Sequence, residues 1–365
     1  MTANLHWFLP TAGDSRDVVG FGPGAIRRKP TLDYLRQVAR AAEQAGFDAV
    51  LTPTGTYCED AWVSTAALIP ETTALRFLIA FRPGFISPTL AAQQATTFQK
   101  LSGGRVLLNI VTGGSSEEQR RFGDWLEKDD RYERTAEFIR VVRGAWSGTP
   151  FDLDGKHYNI VGATVAKPPT PVPPIFFGGS SDVGKRVAAE HADVWLMWGE
   201  PPESARSELA GVRQLGESFG RDDLRFGIRL HVITRDRAAD AWAETERLLE
   251  AMPPELIDRA QRNTVHEESV GQHRMKALHN GKKDDLVISP NLWAGFGLVR
   301  AGAGTALVGS HEEVAERIAE YHEIGFDHFI LSGQPHLEEA YWFGEGVMPI
   351  LRKEGLLAEQ PVSVA

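Results

Sequence analysis

Apolar positions along the chain fall into short runs separated by longer stretches of helical period. Runs rich in β-branched, aromatic or leucine residues lie at 5–9, 49–52, 76–81, 106–111, 174–177, 193–197, 226–234 and 328–331. Most are followed by apolar residues three and four positions apart, as in Leu32, Leu35, Val38, Ala39, Ala42 and Ala45, the spacing of an amphipathic helix. Strands that alternate with helices run parallel and are joined by crossovers, and about eight of them close a (β/α)8 TIM barrel. A doubly wound open sheet is the alternative. Helix ends are marked: Thr31 is placed to cap the first helix and Gly46 to stop it. Ser310-His311-Glu312-Glu313 reads as a capping box for a helix ending at Gly325.

Two segments interrupt this alternation. Residues 149–167 predict a β-hairpin turning at Asp154-Gly155, followed by a stiff proline-rich connector over 168–174. Residues 252–308 contain a polar, basic stretch (271–283) and a glycine-rich one (295–304), and read as a long lid or binding loop. The chain is therefore read as one barrel domain over 1–365 with insertions at about 149–167 and 252–308.

Composition narrows the function. The 365 residues are 42% hydrophobic, enough for a large core, and the formal net charge is −10. An acidic chain argues against nucleic acid or an anionic membrane surface as partner. Any anionic ligand then needs local arginines. The single cysteine, Cys58, forms no intrachain disulfide. No apolar stretch approaches the roughly 18 residues of a membrane span, and the opening residues carry no signal-peptide pattern; a soluble cytoplasmic protein is expected. Metal-site and serine-esterase signatures such as His-Glu-x-x-His, Cys-x-x-Cys and Gly-x-Ser-x-Gly are absent. No metal is expected, and His266, His273 and His279 in the polar stretch are expected to be solvated.

Candidate chemistry gathers at strand ends. Gly178-Gly179-Ser180-Ser181 lies between an apolar run and a helical one. Glycines there let backbone N–H groups approach an anion, serines add donors, and the helix N-terminus adds a favourable dipole. A glycine turn with a serine cap and no ligand is the alternative. In Arg229-Leu230-His231 the two polar residues share one strand face. On an inner face they are costly unless paired or used, so they read either as an anion-binding and proton-transfer pair or as an arginine–carboxylate filler. Trp198, Asn109 and Thr112 end other strands, and Arg300 sits among glycines in the long insertion.

Several stretches resemble the alkanesulfonate monooxygenases of the bacterial-luciferase-like superfamily. They are Trp7-Phe8-Leu9-Pro10-Thr11, Pro53-Thr54-Gly55, Cys58-Glu59-Asp60-Ala61-Trp62, Phe177-Gly178-Gly179-Ser180-Ser181-Asp182, Trp198-Gly199-Glu200-Pro201-Pro202, Phe226 through Val232 and Ile288 through Gly295. The resemblance implies a two-component system in which a separate NAD(P)H:FMN reductase supplies FMN as FMNH2. This chain would then use FMNH2 and O2 to cleave the C–S bond of an organosulfonate, giving sulfite and an aldehyde. By the same resemblance Trp198, Arg229, Arg300, Gln334 and Cys58 contact substrate, and Arg229, His231 and Arg300 are catalytic. Gly179, Ser180, Ser181, Asn109, Thr112 and Tyr132 would hold FMN. A homo-oligomer, tetramer or dimer, is also implied. Three positions depart from the family pattern: Ala12 stands for histidine, a glutamate near Gly22 has no clear counterpart, and Gln334 stands for tyrosine in Ser332-Gly333-Gln334-Pro335-His336. Related monooxygenases acting on a sulfone or a sulfonated sugar, a deazaflavin-dependent oxidoreductase, and a non-catalytic flavin-binding or storage protein on the same fold are the alternatives.

Overall fold

A computed structural model describes residues 2–18, 27–263 and 268–358. The region around Gly22, His266 and the last seven residues lie outside them. Eight parallel strands close on themselves: β1 (Asn4–Phe8), β2 (Ala49–Thr52), β3 (Arg76–Phe81), β4 (Val106–Val111), β5 (Ile175–Gly178), β6 (Val194–Trp198), β7 (Arg225–Arg235) and β8 (His328–Ser332). Each pairs with its neighbour in chain order, β6 pairs with β7, and β8 pairs with both β7 and β1. The fold is a (β/α)8 TIM barrel with helices between strands, and every strand boundary falls within one residue of its sequence-derived position.

Local signals act as expected. Thr31 accepts from the Tyr34 amide and Gly46 ends the helix Leu32–Ala45 at φ 95°, a conformation that favours glycine. Ser310 and Glu313 form the capping box of His311–Ile324. Outward strand residues such as Val50, Phe77, Ile79 and Leu108 pack against the helices, while Leu51, Leu78, Leu107 and Ile330 fill the barrel interior.

The 252–308 insertion departs from the expected loop. It forms the helices Pro254–Asn263 and Val270–Ala277, two short strands, and a strand Ala306–Ser310 parallel to the upper half of β7. That strand begins with Ala306 beside His231 and ends with Ser310 beside Arg235. The insertion has a core of its own, with Trp293, Phe296 and Leu298 buried against Ile233 and Leu248. His279 is correspondingly buried, not solvated. The hairpin is present as Phe151–Asp154 against Asn159–Ala163. Its turn is wider than Asp154-Gly155, because the Glu137 carboxylate accepts from the amides of Lys156, His157 and Tyr158 and opens the loop.

A histidine pair sits deep in the barrel. Nε2 of His6 lies 2.9 Å from Nδ1 of His328, the rings stack at 5.2 Å, and Phe176 stands edge-on to both. Gly227 leaves room for them: a Cβ there would lie 3.2 Å from the His328 carbonyl oxygen and 2.5 Å from Leu196. Burial, aided by Arg76 and Arg225, pushes His6 down to about 3, and burial holds His328 well below its ordinary value. The unfolded chain therefore takes up protons near 6.5 that the folded one refuses. Stability is complete above that pH and should decline below it by about 1.4 kcal/mol per pH unit for each such histidine. His328→Asn keeps a polar partner for His6 and should flatten the slope by about that amount between urea melts at about pH 5.5 and pH 4.5. An unchanged slope would mean that His328 titrates as freely as in the unfolded chain.

Candidate active site

The C-terminal ends of the barrel strands surround a cavity of about 890 Å³, on the face where barrels of this kind place their chemistry. Phe8, Pro10 and Ala12 line it from β1, Pro53 and Thr54 from β2, Arg82 from β3, and Asn109 and Thr112 from β4. Gly179, Ser180 and Ser181 follow β5, Trp198 ends β6, Arg229 and His231 belong to β7, and Ile330 and His336 come from β8 and beyond. The insertion adds Gly271 and Arg300.

One end is a helix N-terminus. Ser181 caps the ten-residue helix Asp182–His191 by accepting from the Gly184 amide at 3.2 Å. First-turn amides before Gly184 have no intrahelical acceptor. Gly179 lies so close to this turn that a Cβ would stand 3.1 Å from the Gly184 Cα. Tyr132 is buried beside it; burial raises its phenol pKa and the Ser181 hydroxyl works against that. Thr112 is fixed by Thr135 at 3.3 Å and by Gln119, whose side chain donates to the Thr112 carbonyl at 3.1 Å. The structure thus gathers Asn109, Thr112, Tyr132, Gly179, Ser180 and Ser181 along one stretch of cavity wall.

The other end is cationic. Arg229 lies over the Phe8 ring at 5.0 Å and donates to the carbonyls of Leu230 and Ile330 and, at 2.8 Å, to the Ser332 hydroxyl. Arg300 donates to the Gln334 side-chain oxygen at 3.4 Å. Among the described residues, neither arginine has a carboxylate within ion-pair distance, so no arginine–carboxylate filler is seen among them. Burial first, and then the charge of Arg300, pushes Arg229 down to about 9. Burial also lowers Arg300, while Tyr57 and Asp14 partly offset it. Holding a partly buried cation without a counter-charge is unfavourable, and an anion brought between the two would reverse both shifts.

His231 is engaged on both ring nitrogens: Nε2 lies 3.0 Å from the Ala303 carbonyl and Nδ1 2.7 Å from the Ser332 hydroxyl. Its ring stacks on Phe296 at 4.3 Å. Burial, then Arg229 and Arg300, holds it well below the usual histidine range. As built it has no nitrogen free for a ligand. The histidine that does is His336, which lines the cavity and among the described residues has no hydrogen-bond partner on its ring.

Two expected substrate contacts stand elsewhere. Cys58 does not line the cavity; its sulfur rests against the carbonyls of Gly55 and Pro53, and burial pushes the thiol up to about 11. Gln334 is also behind the wall. It holds Arg300 from the rear while its amide donates to the carbonyls of Ser15 and Asp17.

The insertion roofs the cavity. Helix Val270–Ala277 passes over Trp198 and Ser180, so closely that a Cβ on Gly271 would lie 3.1 Å from the indole. Arg274 ties it to Glu200 and Glu208, which also binds Lys185. Glu268 is held by Ser116 and Arg131.

Sequence reasoning missed His336, Ser332 as a bridge, and the Arg82–Glu118 pair at 2.6 Å in the wall. Ser332 was readable, because it shares a face with Ile330 on a strand whose register sets it beside His231.

Removing the Gln334 amide orphans two backbone carbonyls and the back of Arg300. Gln334→Ala should cost about 1–3 kcal/mol in urea denaturation. A loss below about 0.5 kcal/mol would show that these bonds contribute little in solution.

Among solved structures the fold is similar to that of riboflavin lyase (RcaE), determined with a modified FMN and the substrate riboflavin. The TM-score is 0.81 at 22% identity, covering 98% of this chain and 93% of that one. EDTA monooxygenase (EmoA) from Chelativorans sp. BNC1 gives 0.78 at 20%, covering 98% and 95%. Long-chain alkane monooxygenase (LadA) gives 0.78 at 19%, covering 99% and 93%. At such identities the likeness speaks for the fold alone. Among the described residues no helix is long and apolar enough to cross a membrane. The sequence pattern of the luciferase-like monooxygenases matches residues 3–328, and the chain belongs to that family.

Proposed function

We propose that this chain is the oxygenating component of a two-component system, using FMNH2 and O2 to cleave the C–S bond of an organosulfonate. The observation that carries the reading is the pair of cavity-lining arginines, Arg229 and Arg300, which among the described residues have no carboxylate partner, in a chain of net charge −10. A neutral substrate such as a sulfone would leave both charges uncompensated. A sulfonate accepts arginine's planar donor fork through its oxygens.

The glycine–serine turn fits a flavin phosphate. Ser180 is open to the cavity, Ser181 caps the helix, and Gly179 leaves no side chain between an anion and the backbone. Asn109, Thr112 and Tyr132 would hold the rest of the flavin. Bound FMNH2 supplies the two electrons that O2 activation requires. In the balanced reaction, RCH2SO3⁻ with O2 and FMNH2 gives RCHO, sulfite, FMN, water and a proton. One oxygen atom enters the aldehyde and the other enters water.

The chain's own groups orient and exclude. Arg229 and Arg300 clamp the sulfonate, and Trp198 closes the wall under the roof helix. With an anion bound, Arg229 keeps its proton at neutral pH and acts as a fixed donor. Ala12 lines the cavity where the related enzymes have histidine, which leaves space for a sulfonate larger than the short alkanesulfonates. FMN reductase as a transient partner and assembly into a homo-oligomer complete the proposal.

The test is sulfite release from a panel of sulfonates, with a flavin reductase, NADH and FMN supplied. Release from a larger or hydroxylated sulfonate in preference to short ones is expected; no release from any sulfonate would sink the reading. Arg229→Lys keeps the charge and loses the fork, so kcat/KM should fall at least about a hundredfold, roughly 3 kcal/mol, with flavin affinity unchanged. Ser180→Ala should weaken FMN binding at least about tenfold through the loss of a hydrogen bond to a charged group, and leave riboflavin, which has no phosphate, unaffected. Equal losses for FMN and riboflavin would place the phosphate elsewhere.

A further inference from the structure

We propose that Ser332 is a positioning residue whose hydroxyl links Arg229 to His231 and so fixes the anion clamp across the junction of barrel and insertion. The inference rests on the reading of Arg229 and Arg300 as that clamp.

The proton directions follow from what each atom can do. The Ala303 carbonyl can only accept, so Nε2 of His231, 3.0 Å away, carries a hydrogen. Buried between two cations the ring is neutral, and its Nδ1 is therefore bare and accepts. Ser332 Oγ, 2.7 Å from Nδ1, must donate its one hydrogen there. Arg229 Nη2 can only donate, and it reaches the same Oγ at 2.8 Å. All hydrogens then run one way, from Arg229 through Ser332 and His231 to Ala303. A hydroxyl suits the middle position because it accepts on one side and donates on the other.

The chain of bonds crosses a structural boundary. Arg229 and His231 belong to β7 and Ser332 to β8, while Ala303 lies in the insertion three residues after Arg300. The His231–Ala303 bond docks the Arg300 segment on β7, and Ser332 decides which His231 nitrogen is free to make that bond. Register places Ser332 directly beside His231. Alanine at 332 would leave Nδ1 and Nη2 facing each other's vacancy inside the wall, and both anchors would loosen. Threonine retains the hydroxyl.

The experiment has two arms on the full-length protein. In ¹⁵N-histidine NMR, with His231→Gln to assign the signal, the wild type should show one neutral Nε2–H tautomer with a hydrogen-bonded Nδ1. Ser332→Ala should move the Nδ1 signal to that of an unbonded nitrogen, and Ser332→Thr should restore it. In titration with a sulfonate found to be turned over, or with inorganic sulfate as a probe, Ser332→Ala should weaken anion binding at least about tenfold. FMN affinity should not change, and Ser332→Thr should bind like the wild type. An Nδ1–H tautomer in the wild type would overturn the proposal, as would wild-type anion affinity in Ser332→Ala. If the wild type binds neither sulfonate nor sulfate, the clamp reading itself fails, and the NMR arm alone shows whether the hydrogen-bonded arrangement exists.

Discussion

β7 is bonded along one edge for nearly its whole length, by β6 and then by the insertion strand, and the cavity depends on that. Its lower half closes the barrel between β6 and β8, while its upper half carries the insertion strand Ala306–Ser310. A strand of this length would otherwise expose a row of unpaired amides and carbonyls above the barrel rim. Covering that edge brings the insertion over the cavity and sets Ala303 against His231. Arg229 stands where the two halves meet, with β6 and β8 beside it.

The electrostatics follow from that placement. Arg229 takes up carbonyl oxygens, a hydroxyl and the face of Phe8, none of which carries a negative charge. Arg300 donates to an uncharged amide oxygen, that of Gln334. These contacts satisfy donors without cancelling charge, so the field of both cations points into the cavity. The same field, together with burial, keeps His231 and His336 neutral. At the roof, by contrast, Arg274 and Lys185 are matched by Glu200 and Glu208. Charge is cancelled where it holds the lid in place and left open where a ligand would sit.

The barrel was legible because each strand is a compact apolar run with a capped helix after it; Thr31, Gly46 and Ser310 act locally and needed no tertiary information. Strand Ala306–Ser310 was not, since five residues behind a glycine-rich stretch become a strand only by pairing with a partner seventy-odd positions away. Inner-face alternation placed Arg229 and His231 correctly. What it could not show is that a backbone carbonyl, Ala303, occupies the imidazole, because carbonyls leave no mark in sequence. Cys58 and Gln334 rested on resemblance alone. Their side chains end on local carbonyls and on Arg300, a matter of reach that residue identity does not determine.

The two ends of the cavity are built from different parts of the chain, which bears on how specificity can change. The glycine–serine end belongs to β5 and its helix, and the cationic end to β7, β8 and the insertion. Between them the β1 loop, with Ala12, is fixed by Asp14, whose carboxylate accepts from the amides of Ser15 and His336 at 2.8 Å and from the Tyr34 hydroxyl. The loop's path is therefore set by residue 14 and not by the side chain at 12. A methyl, an imidazole or a larger group at 12 can be exchanged without moving the helix N-terminus or either arginine. A wall position of that kind alters which molecule fits while leaving the charged ends where they are, and Ala12 is the cavity-lining departure from the alkanesulfonate pattern that has this freedom.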